Sequence, residues 1–257
     1  MHHWTRRLFA IAAPLLLTGC LWGPGKFSSD LTLRKDGSFA LNYRGEIVLQ
    51  LPPDQNAEPW TDAKAKCTDD GKARPCTKTE IADQKRAYDN KRKEAEDMAK
   101  LFGLPELDDA SNRAFAAKLM KFAGWRSVTY RGKGLFEVDY HFEGRATQDF
   151  LFPALPNNDL IIPFIAIRRR ADGAVLVTAP GFTGGAGPLG ARAGAAAAEG
   201  MKGGPVSRAQ GRFTVITDGE ILTNNSEDGA TAHPIGRQLN WEVGPTSSKI
   251  PETLIRL

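Results

Sequence analysis

Few residues in this sequence have the type and spacing to carry chemistry. Histidine, the side chain whose charge changes nearest neutral pH, occurs at His2, His3, His141 and His233. His141 stands two residues from both Asp139 and Glu143, so strand geometry would set all three on one face and permit an acid–base cluster. A solvated strand face has the same pattern, and Glu137 extends it. His233 precedes Pro234 in a polar stretch and reads as a surface residue. The chain has no G-x-S-x-G elbow, Walker loop, G-x-G-x-x-G turn or H-E-x-x-H helix. No catalytic or cofactor-binding residue is therefore assigned, and a non-catalytic protein is expected. Cys67 and Cys76 enclose the polar, turn-forming segment TDDGKARP. Zinc would need two further ligands, and neither His141 nor His233 lies at ligand spacing, so no metal is expected. The pair also lacks the Cys-x-x-Cys spacing of redox sites.

The third cysteine has a different context. Met1 to Cys20 reads MHHWTRRLFAIAAPLLLTGC: a short basic segment, an apolar run from Leu8 to Leu17, then small residues. This is the form of an export signal, too short in its apolar part for the roughly twenty residues of a membrane span. Leu17-Thr18-Gly19-Cys20 resembles the lipobox, where lipoprotein signal peptidase cuts before a diacylglyceryl-modified cysteine. The resemblance implies lipidation at Cys20 by palmitate-type acyl chains. Each buried methylene then contributes about 0.8 kcal/mol, so the chains would anchor the protein to a bilayer without spanning it. In lipoprotein sorting an Asp after the modified cysteine implies inner-membrane retention; Leu21 stands there instead, so the outer membrane, on its periplasmic face, is the expected location. An oxidising periplasm would join Cys67 to Cys76, contributing about 2 to 3 kcal/mol by chain entropy.

Removing Arg6 and Arg7 with the signal from 34 Lys+Arg leaves 32, against 30 Asp+Glu, an excess too small to suggest nucleic-acid binding. With 41% hydrophobic and 25% charged residues the chain can build an ordinary globular core. Period-two alternation over Phe27, Leu31, Leu33 and then Phe39, Leu41, Tyr43, Ile47, Leu49 and Leu51 predicts a hairpin turning at Asp36-Gly37. Thr77 and Glu80 form a capping box, predicting a long helix with a narrow stripe at Ile81, Tyr88, Ala95, Met98 and Phe102. Lys91-Arg92-Lys93 on it is largely cancelled by Asp89, Glu94, Glu96 and Asp97. A second helix, predicted from about Asp109 to Ala123, aligns Phe115, Leu119 and Phe122 and completes a helical hairpin.

Strands resume at Val128 and Tyr130 and, past a Gly-Lys-Gly turn, over Leu135 to Phe142. Leu160–Arg168 and Ala174–Ala179 flank Asp172-Gly173 as a second hairpin; Arg212–Ile216 and Ile221–Asn224 flank Asp218-Gly219 as a third; Leu239–Val243 is the last strand. Hairpins with helices clustered between them predict an α+β fold: an antiparallel β-sheet built from hairpins, with an inserted two-helix hairpin. The expected organisation is a signal peptide over 1–19, a lipidated tether over 20–26, and one domain over 27–257 with a helical insert at about 77–123 and a Gly/Ala-rich flexible loop at 181–204.

Asp30 to Ser38, then Gly211-Arg-Phe-Thr-Val, Thr223-Asn-Asn225 and Asn240-Trp241, together resemble the LppM-type lipoprotein domain, which implies an α+β sheet with a hydrophobic cavity for lipid or glycolipid and no catalysis. The large insert with Cys67 and Cys76 and the lack of a C-terminal span depart from that pattern. The first functional expectation is therefore binding of an envelope lipid or glycolipid. An assembly scaffold for an envelope protein comes second, and a hydrolase using His141 third.

Overall fold

The computed structural model describes residues 22–49, 60–69, 71–101, 108–154, 163–183, 209–244 and 247–257. The signal, Cys20, Leu51, Phe102 and most of the Gly/Ala-rich segment lie outside the described residues, as do the side chains of Ala95 and Met98. The fold is α+β and mostly β, with the strands in antiparallel sheets built from hairpins.

The first hairpin, β1 (Trp22–Leu33) and β2 (Ser38–Leu49), turns where expected. The Asp36 carboxylate accepts the Ser38 N–H at 2.9 Å and its hydroxyl at 2.6 Å, which holds that carboxyl below its ordinary pKa. The strand begins at Trp22 rather than near Phe27. Gly23-Pro24-Gly25 reads as tether, yet Trp22 packs against Phe115 and Phe136 at ring distances of 5.6 and 5.2 Å and carries those residues into the core.

Beyond β2, a short ribbon of β3 (Cys67–Asp69) and β4 (Lys72–Arg74) precedes helices α1 (Lys78–Leu101) and α2 (Asp109–Leu119). The hairpin β5 (Trp125–Gly132) and β6 (Leu135–Arg145) follows, then β7 (Phe150–Phe152), β8 (Ile165–Arg169) and β9 (Val175–Thr178). The final strands are β10 (Gln210–Thr217), β11 (Glu220–Asn224), β12 (Thr231–His233), β13 (Gly236–Val243) and β14 (Glu252–Arg256).

There are two main sheets, not one: a seven-stranded sheet in the order β12-β13-β10-β1-β2-β6-β5, and a five-stranded sheet in the order β11-β14-β9-β8-β7. All pairs are antiparallel except β1 with β10, which run parallel. The third predicted hairpin is absent, because β10 and β11 belong to different sheets. β10 already has β1 on one side and β13 on the other, so the chain must leave at Asp218-Gly219. There it passes so close to β14 that a Cβ on Gly219 would lie 2.7 Å from Ile255 and 2.8 Å from the Arg256 carbonyl. The Asp218 carboxylate fixes this corner by accepting the Lys35 N–H at 2.7 Å.

The two sheets share one core of inward-facing residues. Aromatic rings fill the space between them: Tyr43 meets Phe152 at 5.1 Å, Tyr140 meets Phe152 at 4.6 Å, and Phe39 and Phe142 each meet Phe150 at 5.0 Å. Phe182 stacks on Phe27 at 4.1 Å and meets Phe213 at 5.3 Å. The loop expected from residue 181 thus gives its first large side chain to the core, fully buried. These separations are ordinary ring contacts and leave no room for an acyl chain between those rings. Burial lifts the Tyr140 hydroxyl to about 12; burial and the nearby Glu46 charge also raise that of Tyr43 well above its ordinary value.

Both expected helices are present, but they play different parts. α2 packs on β5 and buries Phe115 and Leu119. It ends at Leu119 rather than near Ala123, so Phe122 leaves the predicted stripe and stands 44% exposed, while Trp125 is buried instead. None of the described residues of α1 is buried.

Candidate functional site

Two features could serve a function: a polar row on the outer face of the seven-stranded sheet, and the exposed helix α1 with its base. The row follows from register. Asn240 lies opposite Thr214, Thr214 beside Asp30, Asp30 opposite Asn42, and Asn42 opposite His141. Their side chains all face outward because their neighbours in each strand face the core.

Hydrogen bonds link the row in two stretches. Asn42 Nδ2 donates to Asp30 Oδ2 at 2.7 Å, which leaves its Oδ1 to accept from His141 Nδ1 at 2.6 Å. His141 Nε2 lies 3.1 Å from Glu143 Oε1 and donates to it when that nitrogen carries a proton. Thr214 Oγ1 donates to Asn240 Oδ1 at 2.8 Å. The cluster of His141 with Asp139 that the spacing permits does not form. Asp139 pairs with Arg44 at 3.2 Å, because the residue directly across the ladder is closer than one two places along the same strand. His141 is thus held between an amide and a carboxylate, an arrangement that ties β1, β2 and β6 together. His233 is half-buried at the end of β12, and its Nδ1 accepts the Ile235 N–H at 3.4 Å.

At the second feature Cys67 and Cys76 stand at disulfide distance, with Cα atoms 5.3 Å apart, and close the β3–β4 ribbon at the start of α1. The capping box forms as the sequence requires: Glu80 N donates to Thr77 Oγ1 at 3.3 Å and Thr77 N donates to Glu80 Oε2 at 2.8 Å. The sequence does not reveal that Arg74 of β4 holds the same carboxylate with two nitrogens, at 2.9 and 2.5 Å. The guanidinium, with Thr77, brings the Glu80 pKa down to about 2, and Glu80 in turn raises that of Arg74. Gln84 exchanges two 3.1 Å bonds with the Lys66 backbone, and Trp60 meets Tyr88 at 5.7 Å. The ribbon and the Trp60–Lys66 segment are thereby fixed to the first turns of α1.

Further along, α1 supports itself. Lys85 pairs with Asp89 at 2.9 Å and Arg92 with Glu96 at 3.0 Å, and Arg86 bonds Asp83. Such pairs, each worth about 0.2–0.5 kcal/mol, stabilise a helix none of whose described residues is buried. Arg92, in the middle of the basic run, is thus engaged within the helix.

The residues behind the family resemblance have structural work. A Cβ on Gly211 would lie 1.9 Å from the Phe27 carbonyl, so the parallel approach of β10 to β1 requires glycine there. Asn225 Oδ1 accepts from Trp241 Nε1 and from Glu252 N, each at 2.9 Å, while its Nδ2 donates to the Ile250 carbonyl at 2.7 Å. This side chain joins the two sheets, and nothing local in the sequence announces that role. No helix among the described residues is long and apolar enough to cross a membrane. Neither protein-family models nor curated proteins give a match to the chain.

Proposed function

We propose that this is a non-catalytic lipoprotein of the cell envelope, anchored through Cys20 to the periplasmic face of the outer membrane, that serves as a scaffold for another envelope protein. The observation that carries the scaffold reading is α1: a helix of 24 residues with none of its described residues buried, fixed at its base by the Cys67–Cys76 pair, the capping box and Arg74. An exposed helix whose first turns are braced in this way leaves less to order on binding. The anchor reading is supported by the export-type N-terminus and Leu17–Cys20. The non-catalytic reading is supported by His141, whose two ring nitrogens face Asn42 and Glu143. The ring-filled space between the sheets favours a scaffold over a carrier of lipid in an interior cavity.

Photo-crosslinking in cells tests this. A crosslinking residue at Lys85 or Arg92 of α1 is expected to capture one discrete protein, which the same residue at Asp172 on a distant turn does not capture. Diffuse or equal products from all three positions would refute the scaffold role.

A further inference from the structure

The short distance from Cys20 to the folded chain restricts how the molecule can sit on its membrane. We propose that the end of the sandwich where β1 begins faces the bilayer, with Lys133 against the lipid headgroups; this rests on the lipoprotein reading above. Only Leu21 separates Cys20 from Trp22, so the two Cα atoms are at most about 7 Å apart. Trp22 is not free to swing: it is 3% exposed, lies opposite Leu49 in the ladder, and touches rings from α2 and β6. Its Nε1 is buried without a hydrogen-bond partner among the described residues, so the ring is held by packing alone.

The β5–β6 turn lies at this same end. Leu49 N donates to the Gly134 carbonyl at 2.8 Å, and Tyr130 reaches Asp109 of α2 at 2.8 Å. Lys133, at the tip, is exposed and has a left-handed backbone with φ of 52°. Arg131 is paired with Glu137, and Asp109 lies 3.6 Å from Arg113, so these charges cancel in pairs. Among the described residues Lys133 pairs with no carboxylate, and its charge suits anionic headgroups. From Trp22, the twelve residues of β1 carry the chain about 36 Å to the turn at Asp36, which puts that turn far from the bilayer.

The test uses full-length, membrane-extracted protein reconstituted into phosphatidylethanolamine–phosphatidylglycerol vesicles that carry a headgroup-linked rhodamine acceptor. A donor fluorophore is placed at Lys133→Cys or at Asp36→Cys, and the mass of the N-terminal peptide is measured in parallel. Acylated Cys20 together with several-fold stronger energy transfer from position 133 than from 36 is the expected result. Acylated Cys20 with equal or reversed transfer overturns the orientation and leaves the lipoprotein reading standing. An unacylated Cys20 overturns that reading and the orientation with it.

Discussion

Replacing Phe182 by alanine tests whether the sandwich is filled by its own side chains. Phe182 is completely buried, stacks on Phe27 at 4.1 Å and meets Phe213 at 5.3 Å, although it opens a segment whose Gly/Ala composition reads as a loop. Burying a phenylalanine removes about 150–250 Å² from water, worth roughly 4–6 kcal/mol at 25 cal/mol per Å² as an upper bound. Measured Phe→Ala losses in packed cores run to about 3–5 kcal/mol, part of it the cost of the cavity left behind. In a domain of this size each kcal/mol shifts the melting temperature by roughly 2–4 °C, so Phe182→Ala should lower it by about 6 to 20 °C. The assay is thermal and urea unfolding of the Cys20→Ser protein, with Phe182→Leu as a milder control that keeps most of the apolar volume. A loss below about 1 kcal/mol, as at surface positions, would show that Phe182 does not seal the space between the sheets and would reopen the interior to a ligand.

Cys67→Ala with Cys76→Ala should weaken the base of α1 by about 2–3 kcal/mol. Hydrogen exchange should accelerate over residues 60–101 while the sandwich strands keep their protection. Glu80 gives a pH signature: its folded pKa of about 2 lies below the ordinary 4.5, so its stabilisation is complete above about 4.5 and is lost as the pH falls through 2. Exchange at the first turn of α1 should rise across that window in the wild type, and a Glu80→Gln protein should show no such step. Asn225→Ala removes three hydrogen bonds at a partly solvated site and should cost about 1–2 kcal/mol, read by urea unfolding. Trp241→Phe, which loses one of those bonds, should cost less.

What the sequence made legible was local. Alternation located β1, β2, β5 and β6 and separated the inward Phe136, Val138 and Tyr140 from the outward Glu137, Asp139 and His141. Thr77 and Glu80 marked the start of α1 because a capping box lies within one turn. Pairings between distant segments carry no such mark. The parallel register of Lys26 with Gln210 is set by packing around Gly211, and it decides that Asp218-Gly219 is a corner between sheets rather than a hairpin turn. The polar row was half legible: His141 and Glu143 show on one strand, but Asp30 and Asn42 join them only through the β1–β2–β6 register. Trp22 and Phe182 were hidden for a common reason. Each is a single large ring beside glycine, proline or alanine, so composition suggests a linker while one side chain holds the segment in the core.

The measurement that most directly separates a scaffold from a lipid carrier is mass spectrometry of an organic extract from the Cys20→Ser protein, purified from the periplasm without detergent. The scaffold account expects no lipid in stoichiometric amount, because rings already occupy the space between the sheets. A single lipid class recovered at one equivalent per chain would contradict it and make lipid binding the function.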